Sequence, residues 1–259
     1  MKKIILAVIS VLYFMLPTAG QAAQLDASQA VNVAGSQRML SQRMVKAYCQ
    51  LGLGEFYAEP EQQISDGSAL FERNMTSLTP FISTGEAGLA ASQVRQHWSD
   101  FKALVTTAPS RDNARKLLGS AEQLLEATQK MVEAIQSATG VTTGPLVGLA
   151  GRQRMLSQRM AMFHMLKIWG ISDEASEKLA QQAHREFVEA HNKLQKEPRN
   201  TPEITSNLAT VGNALKLLDY SLKSQEGLTY TVATTSEKML KTMDDVTRAY
   251  ATLEQPAGK

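Results

Sequence analysis

The sequence predicts an all-α fold: two tandem antiparallel four-helix-bundle modules, packed on one another as an intramolecular pseudo-dimer. Three observations carry the prediction. The chain repeats itself at an offset of 116 residues. Apolar residues recur at spacings of three and four, as amphipathic helices require. Aromatic residues make up only 6% of the 259 residues, with 16 Gly and 8 Pro, and so few ring residues and turn formers argue against a many-stranded sheet.

The elements follow in order. Lys2 and Lys3 precede an apolar run from Ile4 to Leu16, which is too short to cross roughly 30 Å of hydrocarbon. Pro17 breaks it, and the small residues Ala19, Gly20, Ala22 and Ala23 follow. This three-part form predicts a cleaved secretory signal peptide over 1–23, with an uncleaved N-terminal anchor as the alternative. Its removal takes the formal charge from +2 to zero, and export predicts a periplasmic protein with Cys49 as a lone thiol. Cytoplasmic nucleotide chemistry and nucleic-acid binding are disfavoured by that location and by the balanced charge.

The first module is expected over 24–139 and the second over 140–259. Val31–Met44 aligns with Val147–Met160, and the two stretches differ only at Asn32/Gly148, Val33/Leu149 and Ser36/Arg152. The same offset pairs Phe71 with Phe187, Leu78 with Leu194, Ser120 with Ser236 and Leu124 with Leu240. Gly52 and Gly54, then Pro80 to Gly88, then Pro109-Ser110 divide the first module into four helices. Gly170, then Pro198 to Pro202, then Gly227 do the same for the second. Pro145 suits the first turn of the fifth helix, because its missing N–H would be unpaired there. In the fourth helix Leu117, Leu118, Ala121, Leu124, Leu125, Thr128, Val132 and Ile135 recur at spacings of three and four, and in the eighth Met239, Met243, Val246 and Tyr250 form one stripe.

Each repeated motif lies early in the first helix of its module. At 100° per residue Ala34, Gly35, Arg38, Ser41, Gln42 and Val45 share a face, as do Ala150, Gly151, Arg154, Ser157, Gln158 and Ala161. Small residues let two helix backbones approach, so each stripe reads as a helix contact with a guanidinium set into it. Arg43 and Arg159 lie about 140° further round and are expected to face water or another helix. No acid occurs between Asp26 and Glu55, nor between Glu133 and Asp173. A buried arginine there must be paired, either with a carboxylate from another helix or with a small anion. Planar guanidinium groups suit planar oxyanions by bidentate hydrogen bonding. In an up-down series the first and fifth helices run the same way, so Arg38 and Arg154 would face one another across one anion.

Val31-Asn-Val-Ala-Gly-Ser-Gln-Arg-Met39 resembles the P-box of the NarX and NarQ nitrate/nitrite sensor kinases, within the domain family shared with the pilus chemotaxis transducer PilJ. The resemblance covers the mature chain as two copies. It implies a periplasmic four-helix sensor domain that dimerises through its first helix, with the P-box arginine of each subunit on one nitrate. Here the arginine falls on Arg38 and Arg154, and the close-approach glycines on Gly35 and Gly151. Ser41 and Ser157 complete the expected ligand-binding set. Such receptors continue into a transmembrane segment and a signalling region, whereas this chain ends Glu254-Gln-Pro-Ala-Gly-Lys259, so a membrane receptor or transporter is the expected partner for output.

Other features point elsewhere or nowhere. No catalytic triad, phosphate loop or acid pair has a recognisable spacing, so no enzyme activity and no cofactor are expected. His184 and His191 lack zinc-ligand spacing. Met155, Met160, Met162 and Met165 read as core filler, Cys49 as a small apolar filler, and His97 and Trp98 as packing residues. The competing function is a ligand-free helical interaction module that docks on a membrane chemoreceptor, sensor kinase or pilus-linked transducer.

Overall fold

In the computed structural model, residues 25–141, 144–224 and 227–254 are described, and the predicted signal peptide over 1–23 lies outside them. These residues form eight α-helices and one single-turn helix, Thr79–Phe81, and contain no strand. The first four are α1 (Ala27–Gly52), α2 (Pro60–Ser77), α3 (Gly85–Val105) and α4 (Arg111–Thr139). The others are α5 (Pro145–Ile168), α6 (Glu174–Gln195), α7 (Pro202–Lys223) and α8 (Thr229–Glu254).

Local chemistry sets the helix starts. Asp26 and Gln29 close a reciprocal capping box on α1, each accepting the other's backbone N–H at 2.8 and 3.0 Å. Ser110 and Thr201 cap α4 and α7 through their hydroxyls, and Pro145 opens α5 as its sequence position predicts. Gly140 ends α4 in the left-handed conformation at φ 66°, which a glycine adopts without steric cost.

α1 packs against α2, α4 and α5, and α5 packs against α6, α8 and α1; α3 lies on α4, and α7 on α8. The central pair is therefore enclosed on several sides. From Gln153 to Leu166 every residue of α5 is buried, so a one-sided apolar stripe is not what this helix needs. Contacts along the pair keep the same order in both helices: Asn32 meets Arg154, Gln42 meets Arg159, and Gly52 meets Trp169. The two helices thus run parallel. At the Gly52 crossing a Cβ would stand 2.0 Å from the Trp169 ring, so only a bare backbone fits.

The module cores are aromatic and aliphatic. Phe71 and Trp98 stack at 4.0 Å with 9° between planes, and Trp98 continues to Phe101 at 5.8 Å. Cys49 is fully buried, and burial pushes its thiol pKa up. The four methionines of α5 are buried as well.

One sequence alignment needs correction. A constant offset pairs Leu124 with Leu240, yet Leu124 is buried and Leu240 only partly so. The buried faces of α4 and α8 match at an offset of 115: Ser120 with Thr235, Leu124 with Met239, Thr128 with Met243, and Ile135 with Tyr250. Those of α3 and α7 match at 117, from Ala87 with Ile204 to Phe101 with Leu218. The connections absorb these slips, since loop length is far less constrained than the phase of a buried helix face.

Candidate functional site

A pocket of about 160 Å³ opens where α1, α4 and α5 meet. Arg38, Gly35 and Asn32 line it from α1, Gln129 from α4, and Arg154, Gly151 and Gly148 from α5. The two arginines and two glycines singled out in the sequence therefore converge. Each glycine makes room for its own arginine: a Cβ on Gly35 or Gly151 would come within 3.3 Å of the Nη2 of Arg38 or Arg154.

Ser41 and Ser157 do not line this pocket. Their hydroxyls donate backward to the carbonyls of Arg38 and Arg154, at 2.9 and 2.8 Å. A helical serine reaches its i−3 carbonyl more readily than a pocket beyond the next turn.

The two arginines have unequal partners. Arg154 is buried, forms an ion pair with Asp244 of α8 at 2.6 Å, and donates a second bond to Asn32 at 2.7 Å. Arg38 is half-buried; its Nη1 donates to the Gln129 amide oxygen and its Nε to the Gly35 carbonyl at 3.3 Å. With α4 and α8 in their structural register, Gln129 occupies the place of Asp244, so an amide stands where the second copy has a carboxylate. Asn32, which caps Arg154, has only Gly148 as its counterpart beside Arg38. Among the described residues Arg38 forms no ion pair. The nearest help is one turn away, where Gln129 donates to Glu133 at 2.6 Å. Desolvation by burial, with Arg152 and Arg154 close by, lowers the Arg38 pKa to about 10, against a weaker pull upward from Glu133.

Arg43 and Arg159 follow a symmetric rule. Each crosses to the other module: Arg43 pairs with Glu237 at 2.7 Å and Arg159 with Glu122 at 2.6 Å. Of the two environments the sequence left open, they take another helix. Lys46 adds a fully buried cation to Glu237 at 2.5 Å, where the second copy has Met162. Sequence reasoning missed Gln129, Asp244, Glu122 and Glu237, because they sit on helices outside the repeated motif and behind the register slip. Asn32 was visible as one of the three differences between the motifs.

Among the described residues no group of three His, Cys, Asp or Glu side chains is placed to hold a metal, and His184 instead meets Asp219 at 2.7 Å. The chain is thus a duplicated helical bundle with a polar cleft at the contact of its repeats. The PilJ profile, the type IV pili methyl-accepting chemotaxis transducer N-terminal domain, matches residues 22–124 and 141–253, and the chain belongs to this family. Comparison with curated proteins gives no match, and comparison with solved structures gives none either.

Proposed function

We propose that the protein is an exported sensory module that holds a small oxyanion, nitrate or nitrite first, between Arg38 and Arg154. The observation that carries this reading is a guanidinium without a carboxylate on it, facing a pocket that a second guanidinium also lines. A pocket of about 160 Å³ equals roughly five water volumes at ~30 Å³ each, which suits a planar monoanion and is too small for most organic ligands. An anion on Arg38 would offset the desolvation that lowers its pKa. The P-box resemblance supports nitrate and nitrite as the first anions to try, and supports a periplasmic site of action. No helix among the described residues is long and apolar enough to cross a membrane. The reading assigns output to a membrane receptor or transporter as partner.

The test is thermal unfolding with nitrate, nitrite and chloride. An anion at 100 times its Kd should stabilise the fold by about 2.7 kcal/mol, and Arg38→Ala should remove the effect. Stabilisation that persists in Arg38→Ala would place the anion elsewhere. A specific observation favours the second reading, a ligand-free module docking on a membrane chemoreceptor, sensor kinase or pilus-linked transducer: Arg154 already has Asp244. On that reading none of the three anions changes the unfolding midpoint beyond a general salt effect.

A further inference from the structure

A cavity of about 390 Å³ lies inside the second module between α5, α6 and α7, away from the two P-box arginines. Its floor is apolar, made by Met160, Phe163 and Leu222. Lys167, Arg185 and Lys223 stand on its walls. Among the described residues none of these three cations forms an ion pair. Two acids share the wall, Asp219, which meets His184 at 2.7 Å, and Glu177, so three cations face two carboxyl groups.

Comparison of the repeats shows how the space arises. The counterpart of His164 is Tyr48, whose longer side chain spans its module to reach Thr107 and Ala108 at 3.2 and 3.1 Å. His164 stops short at the Gly227 carbonyl, 2.7 Å away, and burial keeps its imidazole pKa low and the floor uncharged. The counterpart of Ala180 is the buried Ile64. In their structural registers Lys167, Arg185 and Lys223 replace Leu51, Ala69 and Thr106. The second copy has thus lost filling side chains at His164 and Ala180 and gained three exposed cations around that space, although Phe163 replaces Ala47 and Asp219 replaces Lys102. Packing alone does not call for the space, since a void costs stability.

We propose that this cavity binds an organic monocarboxylate whose ring or chain of about six to eight carbons lies on Phe163 and Met160, with its carboxylate at Lys167, Arg185 and Lys223. Its volume falls in the range of roughly 300–1,000 Å³ typical of small-molecule pockets, whereas the P-box pocket is well below it. The two sites therefore select by size: a bare oxyanion in one, an acid with an apolar body in the other. The proposal is independent of the oxyanion reading.

The experiment is calorimetry and thermal unfolding of the protein with benzoate and octanoate, and with benzyl alcohol as a neutral analogue. Benzoate or octanoate should bind and raise the unfolding midpoint, while benzyl alcohol binds at least tenfold more weakly. Ala180→Ile, the first copy's own residue, should abolish binding by filling the cavity while the unliganded midpoint stays in place. Lys167→Leu with Lys223→Thr, again first-copy residues on an exposed rim, should weaken the acids tenfold or more, and Arg38→Ala should leave them unchanged. Failure of both acids to bind at millimolar concentration, equal binding of benzyl alcohol, or binding retained in Ala180→Ile would each overturn the proposal.

Discussion

At the scale of single residues, one amide-for-carboxylate exchange separates the two arginines. Asp244 neutralises Arg154, whereas Gln129 only accepts a hydrogen bond from Arg38. Gln129→Glu should therefore complete an ion pair on Arg38 and weaken oxyanion binding at least tenfold, because an incoming anion would meet a neutralised site and a neighbouring negative charge. Asp244→Asn should act oppositely and tighten binding several-fold, since it frees a second guanidinium. Titration calorimetry with nitrate on both variants checks the pair, and equal affinities would remove the charge argument. The repeated motif made Arg38, Arg154, Gly35 and Gly151 legible in the sequence, because eleven identities in fourteen aligned positions are a local signal. Their partners were not legible: Gln129 and Asp244 lie about 90 residues downstream of the arginines they meet, and only the phase of a buried helix face aligns them.

At the scale of elements, helix existence was readable from spacing and breakers, and the helices part at the predicted Gly and Pro interruptions, except that α3 already starts at Gly85 and carries Gly88 within it. The environment of α5 was harder to read. Its P-box face was legible as a contact stripe, but burial all round from Gln153 to Leu166 comes from three neighbouring helices at once, which no periodicity reports. The α1–α5 crossing also depends on a detail without a pattern, the bare backbone of Gly52 beneath Trp169. Gly52→Ala puts a methyl group 2.0 Å from the ring and forces the helices apart or the indole out. Overpacking of that kind costs about 1–3 kcal/mol. Chemical denaturation should register the loss, and Trp169→Leu in the Gly52→Ala background should recover part of it by clearing the space.

At the scale of the whole molecule, the two modules are tied by ion pairs that exchange partners between them, Arg43 with Glu237 and Arg159 with Glu122. The Glu237 end also carries the buried Lys46, which further donates to Gln158 at 2.9 Å. Burial pushes the Glu237 carboxyl pKa up, but Lys46 and Arg43 together pull it down further, so its net value lies below the ordinary 4.5. A depressed carboxylate pKa adds stability that is complete above the unfolded value and is lost as pH falls through the folded one. The clasp between modules should therefore hold at neutral pH and weaken progressively below about pH 4.5. Glu237→Gln should flatten that acid dependence at the cost of about 3–5 kcal/mol at neutral pH, because Lys46 is left buried without its counter-charge. Lys46→Met, the residue of the second copy, should restore much of the loss in the Glu237→Gln background, since an apolar side chain of similar length has no charge to desolvate. Unfolding midpoints of the wild type, the single variant and the double variant between pH 3 and 7 decide it. If Glu237→Gln loses stability with acid as steeply as the wild type, the clasp is not what acid breaks.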